Sequence, residues 1–467
     1  MSYPIRPIRA ACTFFLVIGF LSGTAMADIT QQAKEKTYKQ LEIFSNVLSI
    51  LQENYVEEID AQKALDGAIQ GMLFTLDPHS SYLTPEEFQD LQDETSGAFS
   101  GVGIEITVKD GVLTVVSPIE GTPADKAGIK ANDQIVEIEG KKTKEISSTE
   151  AIKKLRGPKG SKVTITIQRE GWNEQRPFTL TRDIIPVQSV KAYFLTPGFA
   201  YIRITNFQTH TTKDFKQEFA GLQKKQAIRG LVLDLRNNPG GLLNQAVSIS
   251  DIFLQQGTIV YTKGRTEDQN MLFKAHKTSD DTTVPMVVLV NEGSASASEI
   301  VAGAIQDHKR GVIVGTRTFG KGSVQTIIPL RLEGEGPAAI KLTTARYYTP
   351  NGRSIQAKGI VPDLVVEDTP EGNFSGFNVR EADLMRHLES NKAEDAARRA
   401  TTPAGAATQP ATTPESAPAT KAAPTRRYEF GSAEDFQLQQ AMNHLKGKPV
   451  DVAKPKGESV AKAAPAR

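Results

Sequence analysis

Residues 286–325 read MVVLVNEGSASASEIVAGAIQDHKRGVIVGTRTFGKGSVQ. Met286 to Val290 is an unbroken apolar run ending at a turn of small residues, which predicts a buried strand. A helix is predicted to begin near Ala297, and Gly311 to Gly315 predicts a further strand. Strands alternating with helices in this way argue for βαβ units and a parallel sheet. Ser296 then lies at a helix N-terminus, where unpaired N–H groups and the positive dipole end favour a developing anion. Twenty-five residues later Lys321 stands between Gly320 and Gly322, bare enough to enter a tight site.

A lysine that replaces histidine as the base for a serine must be neutral. At its ordinary pKa of about 10.4 only about one lysine in 2,500 is neutral at pH 7. Lowering that pKa to roughly 8 takes about 3.3 kcal/mol, which burial in an apolar site supplies. Gln325, four residues on, is suited to orient the amine. Alone, Gly-Lys-Gly is an ordinary exposed turn and Ser-Ala-Ser-Ala an ordinary helix cap. Their combination at this spacing points to a serine nucleophile with a lysine base.

Gly293-Ser294-Ala295-Ser296-Ala297-Ser298-Glu299, followed by Phe319-Gly320-Lys321-Gly322-Ser323-Val324-Gln325, resembles the carboxyl-terminal processing peptidases, or tail-specific proteases. These are serine endopeptidases with a Ser-Lys pair and an embedded PDZ domain. The resemblance runs over about residues 35–368. It implies Ser296 as nucleophile, Lys321 as general base and Gln325 as its positioning partner, on an α/β crotonase-like layered core with a mostly parallel sheet. Ser294 and Ser298 do not match the nucleophile position.

The first 27 residues read as an export signal: Arg6 and Arg9, an apolar stretch from Ala10 to Gly23, and Ala25-Met26-Ala27 as a cleavage site. The apolar run is too short for a membrane span. The expected location is periplasmic or otherwise exported, with inner-membrane association through an uncleaved signal as the alternative. Cys12, the one cysteine, lies inside the signal, so neither a disulfide nor a thiolate nucleophile is expected after cleavage. Loss of the two arginines takes the formal charge from +1 to −1, which implies no nucleic-acid partner. Six scattered histidines without metal-ligand spacing give no metal site, and the chemistry needs no cofactor.

Residues 28–96 read as helical. Leu41, Phe44, Leu48 and Leu51 form an apolar stripe that Ile43, Val47 and Ile50 widen. The resemblance implies a homo-oligomer contact there. The segment Thr75 to Leu83 breaks the helix; it too resembles the family, but no chemistry is assigned to it.

Residues 97–170 change to short alternating strands, as in Val163, Ile165 and Ile167, and resemble a PDZ domain. Gly101, Val102, Gly103 and Ile104 match the loop that receives a peptide's terminal carboxylate while the peptide adds as a strand. Arg156, closing this domain's helix, is expected to contact the protease body. The protease core is expected over 171–375. Within it Asp234 to Gly241 follows a buried strand, the end of an open sheet where ligands bind. Gly240 or Gly241, with the Ala297 N–H, is expected to form an oxyanion hole. Asp307 and His308 lie roughly 17 Å down the Ser296 helix, too far to serve the serine directly. His79 and His210 stay open as spatial alternatives. Residues 376–427, without large apolar side chains over 391–427, are expected to form a disordered linker. A short amphipathic helix within 428–467 is expected to dock on the core or on a neighbour.

The expected function is an exported serine endopeptidase that recognises exposed or unfolded C-terminal tails through its PDZ domain and cleaves them; the rivals are an inactive PDZ peptide-binding scaffold and a crotonase-type acyl-thioester enzyme. The resemblance leaves room for an activating adaptor protein.

Overall fold

The computed structural model describes residues 35–109, 111–330, 336–370, 372–373, 379–390 and 428–452. The expected signal and most of the expected linker lie outside them. Residues 1–73 and 74–467 form two separate units. In the first, a helix spans residues 35–54 and another begins at Ala61 (Ala61–Phe74). Leu41, Ile43, Phe44, Val47, Ile50 and Leu51 are all exposed along the first helix. Among the described residues no helix is long and apolar enough to cross a membrane.

The second unit is built on a six-stranded sheet in the order Val190–Thr196, Phe199–Ile204, Gly230–Asp234, Met286–Val290, Val312–Gly315, Leu364–Val365. The first pair is antiparallel and the others parallel. Every residue of Gly230–Asp234 and Met286–Val290 is buried, because both faces of the sheet are covered. Leu231, Leu233, Met286, Val288 and Val290 share a core with the helices Thr211–Lys225, Leu243–Phe253 and Ala297–Asp307. Val232, Val287, Leu289 and Val314 instead meet Leu438, Ala441 and Met442 of the helix Phe436–Leu445. The period-two alternation of a strand thus assigns alternate residues to two cores. The C-terminal helix docks on the core as the second of these covers.

A second sheet of the protease region is wholly antiparallel. The long strand Ala338–Tyr348 pairs with Ser323–Leu330, Thr258–Gly264 and Ser81–Leu83, and Leu272–Lys274 adds at the edge. The expectation of a mostly parallel core therefore describes only the first sheet; taken over all described sheets, pairing is mostly antiparallel. Hairpins such as 323–348 need no crossover helix, which is why the helix–strand alternation did not reveal them.

The inserted body carries an antiparallel sheet in the order Ile104–Lys109, Val112–Pro118, Gln134–Ile138, Lys162–Gln168, Arg176–Thr181, packed on the helix Ser148–Leu155 around Val115, Ile135, Val163, Ile165, Ile167 and Leu180. Its last strand pairs with Lys162–Gln168 and lies beyond the expected boundary at 170. The strands leading into and out of it, Ala98–Gly101 and Asp183–Pro186, pair with each other.

Candidate active site

Ser296 is the residue just before the helix Ala297–Asp307, with φ +55° and ψ −112°. A serine there ordinarily has extended backbone and caps the helix with its hydroxyl. Glu299, three residues on, binds the cap residue itself, its Oε2 accepting the Ser296 N–H at 2.8 Å. The Ser296 Oγ lies 2.7 Å from the Oη of the buried Tyr347. Its neighbours are spent on structure. The Ser294 Oγ donates to the Leu235 carbonyl at 2.8 Å and the Ser298 Oγ to the Asn238 carbonyl at 2.9 Å. Geometry therefore singles out Ser296 among the three serines.

Glu299 is fully buried and also organises the lysine loop. Its Oε1 accepts the Gly320 N–H at 2.8 Å and the Thr318 hydroxyl at 2.5 Å, and its Oε2 accepts the Lys321 N–H at 2.9 Å. One carboxylate thus ties the backbone of Ser296 to the backbone of Lys321. Burial pushes its pKa up to about 7 although all these donors favour the ionised form. The Lys321 ammonium is held below the ordinary lysine range by burial and by the Lys341 charge, against Glu381, Asp77 and Glu299, which favour it. Burial raises the pKa of the Tyr347 phenol, which stays protonated.

Two expected contacts are not made in this arrangement. Among the described residues the Lys321 Nζ hydrogen-bonds neither the Ser296 Oγ nor Gln325. The Gln325 amide instead donates to the Ser323 hydroxyl at 3.0 Å and the Thr343 hydroxyl at 3.2 Å. A β-bulge between Val324 and Gln325 accompanies that placement.

The loop after Gly230–Asp234 supplies backbone donors. The Gly240 N–H is committed to the Asn238 Oδ1 at 2.9 Å. Among the described residues the N–H groups of Gly241 and Ala297 have no protein acceptor. Gly240 has φ +109°, and a Cβ there would lie 2.8 Å from the Ser296 Cβ and 3.0 Å from the Ala297 nitrogen. The glycine therefore serves close approach to the serine. The fully buried Arg236 steadies the same loop. Its guanidinium donates to Asp234 and, at 2.6 and 2.8 Å, to Asp435 next to the C-terminal helix.

The His308 Nε2 is bonded to the Thr258 carbonyl at 2.7 Å, and Asp307 pairs with Arg353, so neither serves Ser296. His210 precedes the helix Thr211–Lys225. His79 lies 2.7 Å from the buried Glu381. In the inserted body Gly103 has φ +78° and leads into Ile104–Lys109, an edge strand of its sheet. Arg156 ion-pairs with Asp90 at 3.3 Å and stacks on Phe99, which belong to the helix Pro85–Ser96 and the strand after it; that helix packs through Phe88 and Leu91 against Ala339 and Ile327 of the antiparallel protease sheet. Sequence reading missed Glu299, Tyr347, Glu381 and Arg236. Only Glu299 had a local signal, the Ser-x-x-Glu spacing of a capping box.

Residues 198–366 match the model of peptidase family S41, residues 114–169 that of a PDZ domain, and residues 10–87 that of the N-terminal domain of the activating protease CtpB. A carboxy-terminal-processing protease of Bartonella bacilliformis is 44% identical over 82% of this chain and 89% of its own length. The carboxy-terminal processing protease CtpA of Bacillus subtilis is 38% identical over 68% of this chain and 67% of its own. Among solved structures, the photosystem II D1 C-terminal processing protease is 34% identical, covers 69% of this chain and 86% of its own, and has a TM-score of 0.41.

Proposed function

The chain belongs to the carboxy-terminal-processing proteases of peptidase family S41 and is a serine-type peptidase; from that premise we propose how it binds and cuts. An unstructured protein tail adds as a strand to the free edge of Ile104–Lys109, with its carboxylate at the N–H groups of the Gly101–Ile104 loop. The Ser296 Oγ attacks the scissile carbonyl carbon and its proton passes to neutral Lys321. The N–H groups of Ala297 and Gly241 hold the oxyanion, each worth roughly 2.7–4 kcal/mol. Lys321 then protonates the leaving amine, and a water activated by the same lysine releases the acyl group. Gln325 reaches the Lys321 amine once the loop closes.

The observation that carries this reading is Ser296 itself: strained, held at its N–H by Glu299, and joined through that carboxylate to a lysine whose charge burial disfavours. The bond of its hydroxyl to Tyr347, instead of Lys321, supports a resting form that substrate or an activating adaptor closes. The layering of the parallel sheet between helices supports a crotonase-like core. We further place the enzyme outside the cytoplasm, exported by residues 1–27, assembled with copies of itself through the exposed stripe of 41–51, and divided at the expected boundaries except where the inserted sheet continues to Thr181.

Purified protein incubated with an unfolded substrate ending in apolar residues tests the reading. The wild type should cleave, and Ser296→Ala and Lys321→Ala should fall to background. Cleavage that survives Ser296→Ala would overturn the mechanism.

A further inference from the structure

Two segments far apart in sequence meet behind the lysine loop. The turn Asp77–Ser80 precedes the inserted body, and Glu381 follows the expected protease core. The Asp77 carboxylate accepts the N–H groups of His79 and Ser80 at 2.8 and 2.9 Å and the Ser80 hydroxyl at 2.8 Å. The Ser80 hydroxyl in turn accepts the Thr343 N–H at 3.1 Å, and Ser81–Leu83 pairs with the strand that carries Tyr347. His79 is thereby fixed with its Nε2 2.7 Å from the Glu381 Oε2.

The Glu381 side chain is 0% exposed and that of His79 17%. A carboxylate so buried is costly unless it is partnered. Gln356 supplies the other partner, its Nε2 donating to Glu381 Oε1 at 2.7 Å while its Oε1 accepts the Gly322 N–H at 3.0 Å. The Glu381 N–H donates to the Phe319 carbonyl at 3.2 Å. The Phe319–Gly322 backbone is thus gripped on both flanks of Lys321 from this side, while Glu299 holds the N–H groups of Gly320 and Lys321 from the other.

We propose that Glu381, seated between His79 and Gln356, is the positioning residue that fixes the lysine loop and sets the balance of charge around the Lys321 amine. The inference rests on the reading of Lys321 as the base. The charged groups facing Lys321 are Lys341 on the long strand, which disfavours the ammonium, and Glu381, Asp77 and Glu299, which favour it. Glu381 itself faces His79 and Lys321. Burial opposes its charge, but the His79 and Gln356 hydrogen bonds outweigh that and hold its carboxyl below the ordinary range. It therefore stands as an anion next to the base, and loss of its charge eases deprotonation of Lys321.

The test is kcat/KM against pH for cleavage of an unfolded protein. In Glu381→Gln the midpoint of the acid limb should move down by about half a pH unit or more, with a lower plateau. Glu381→Asp keeps the charge and should hold the midpoint while the plateau falls. His79→Arg adds a fixed cation beside the intact carboxylate and should also move the midpoint down. It decides the matter alone if Glu381→Gln does not fold. A midpoint that falls steeply as temperature rises, as an ammonium's does, assigns the limb to Lys321; one that barely moves, as for the Glu299 carboxyl, overturns the inference. Unmoved midpoints beside an inactive Lys321→Ala would overturn it while leaving the lysine base intact. Activity in Lys321→Ala would remove the base reading and this inference together.

Discussion

At φ +55° Ser296 occupies backbone space that costs a non-glycine residue about 1–3 kcal/mol. Glu299 offsets part of that cost by bonding the Ser296 N–H, and the same carboxylate orders Gly320 and Lys321. In Glu299→Gln an NH2 group must face either the Ser296 and Lys321 N–H groups or the Gly320 N–H and the Thr318 hydroxyl. Activity should drop by roughly tenfold to a hundredfold, measured as kcat/KM. Stability carries a second signature. The folded-state pKa of about 7 lies above the ordinary 4.5, so between those values the folded chain binds a proton that the unfolded chain has lost. The resulting stabilisation is full below about pH 4.5 and is lost as pH rises to about 7. Denaturant unfolding of the wild type should therefore show this decline, and Glu299→Gln should remove it.

Among the elements, the loop from Asp234 to Gly241 shows how a strand end becomes a site. The strand is buried throughout, and the loop that follows it brings Gly240 against Ser296. Asn238 then consumes the Gly240 N–H and leaves that of Gly241 without a protein acceptor among the described residues. Gly240→Ala combines a disallowed φ with a Cβ 2.8 Å from the Ser296 Cβ. It should lower stability by about 1–3 kcal/mol in urea unfolding and abolish cleavage. Which of the two glycine amides stays unclaimed was not legible in the sequence, because that depends on which one a neighbouring side chain takes. The same holds for Gln325, whose spacing from Lys321 suited a contact. The bulge beside it turns its amide to Ser323 and Thr343 instead.

Across the whole molecule, chain ends complete what the middle begins. Phe436–Leu445 covers one face of the central sheet, and Asp435 meets the buried guanidinium of Arg236, 199 positions away in sequence. Asp435→Ala leaves that guanidinium short of an anion and should cost roughly 3 kcal/mol, read as a lower urea midpoint by circular dichroism. Local pattern alone determined the buried strands, the helix that starts after Ser296 and the inserted PDZ-like body, because period, glycine placement and motif spacing are properties of neighbours along the chain. Only the tertiary structure decided that Tyr347 holds the serine hydroxyl, that Glu299 ties serine to lysine, and that Glu381 and Asp435 reach the site from afar. Burial and hydrogen-bond satisfaction couple residues hundreds of positions apart, and no local pattern records which buried charge will find which partner.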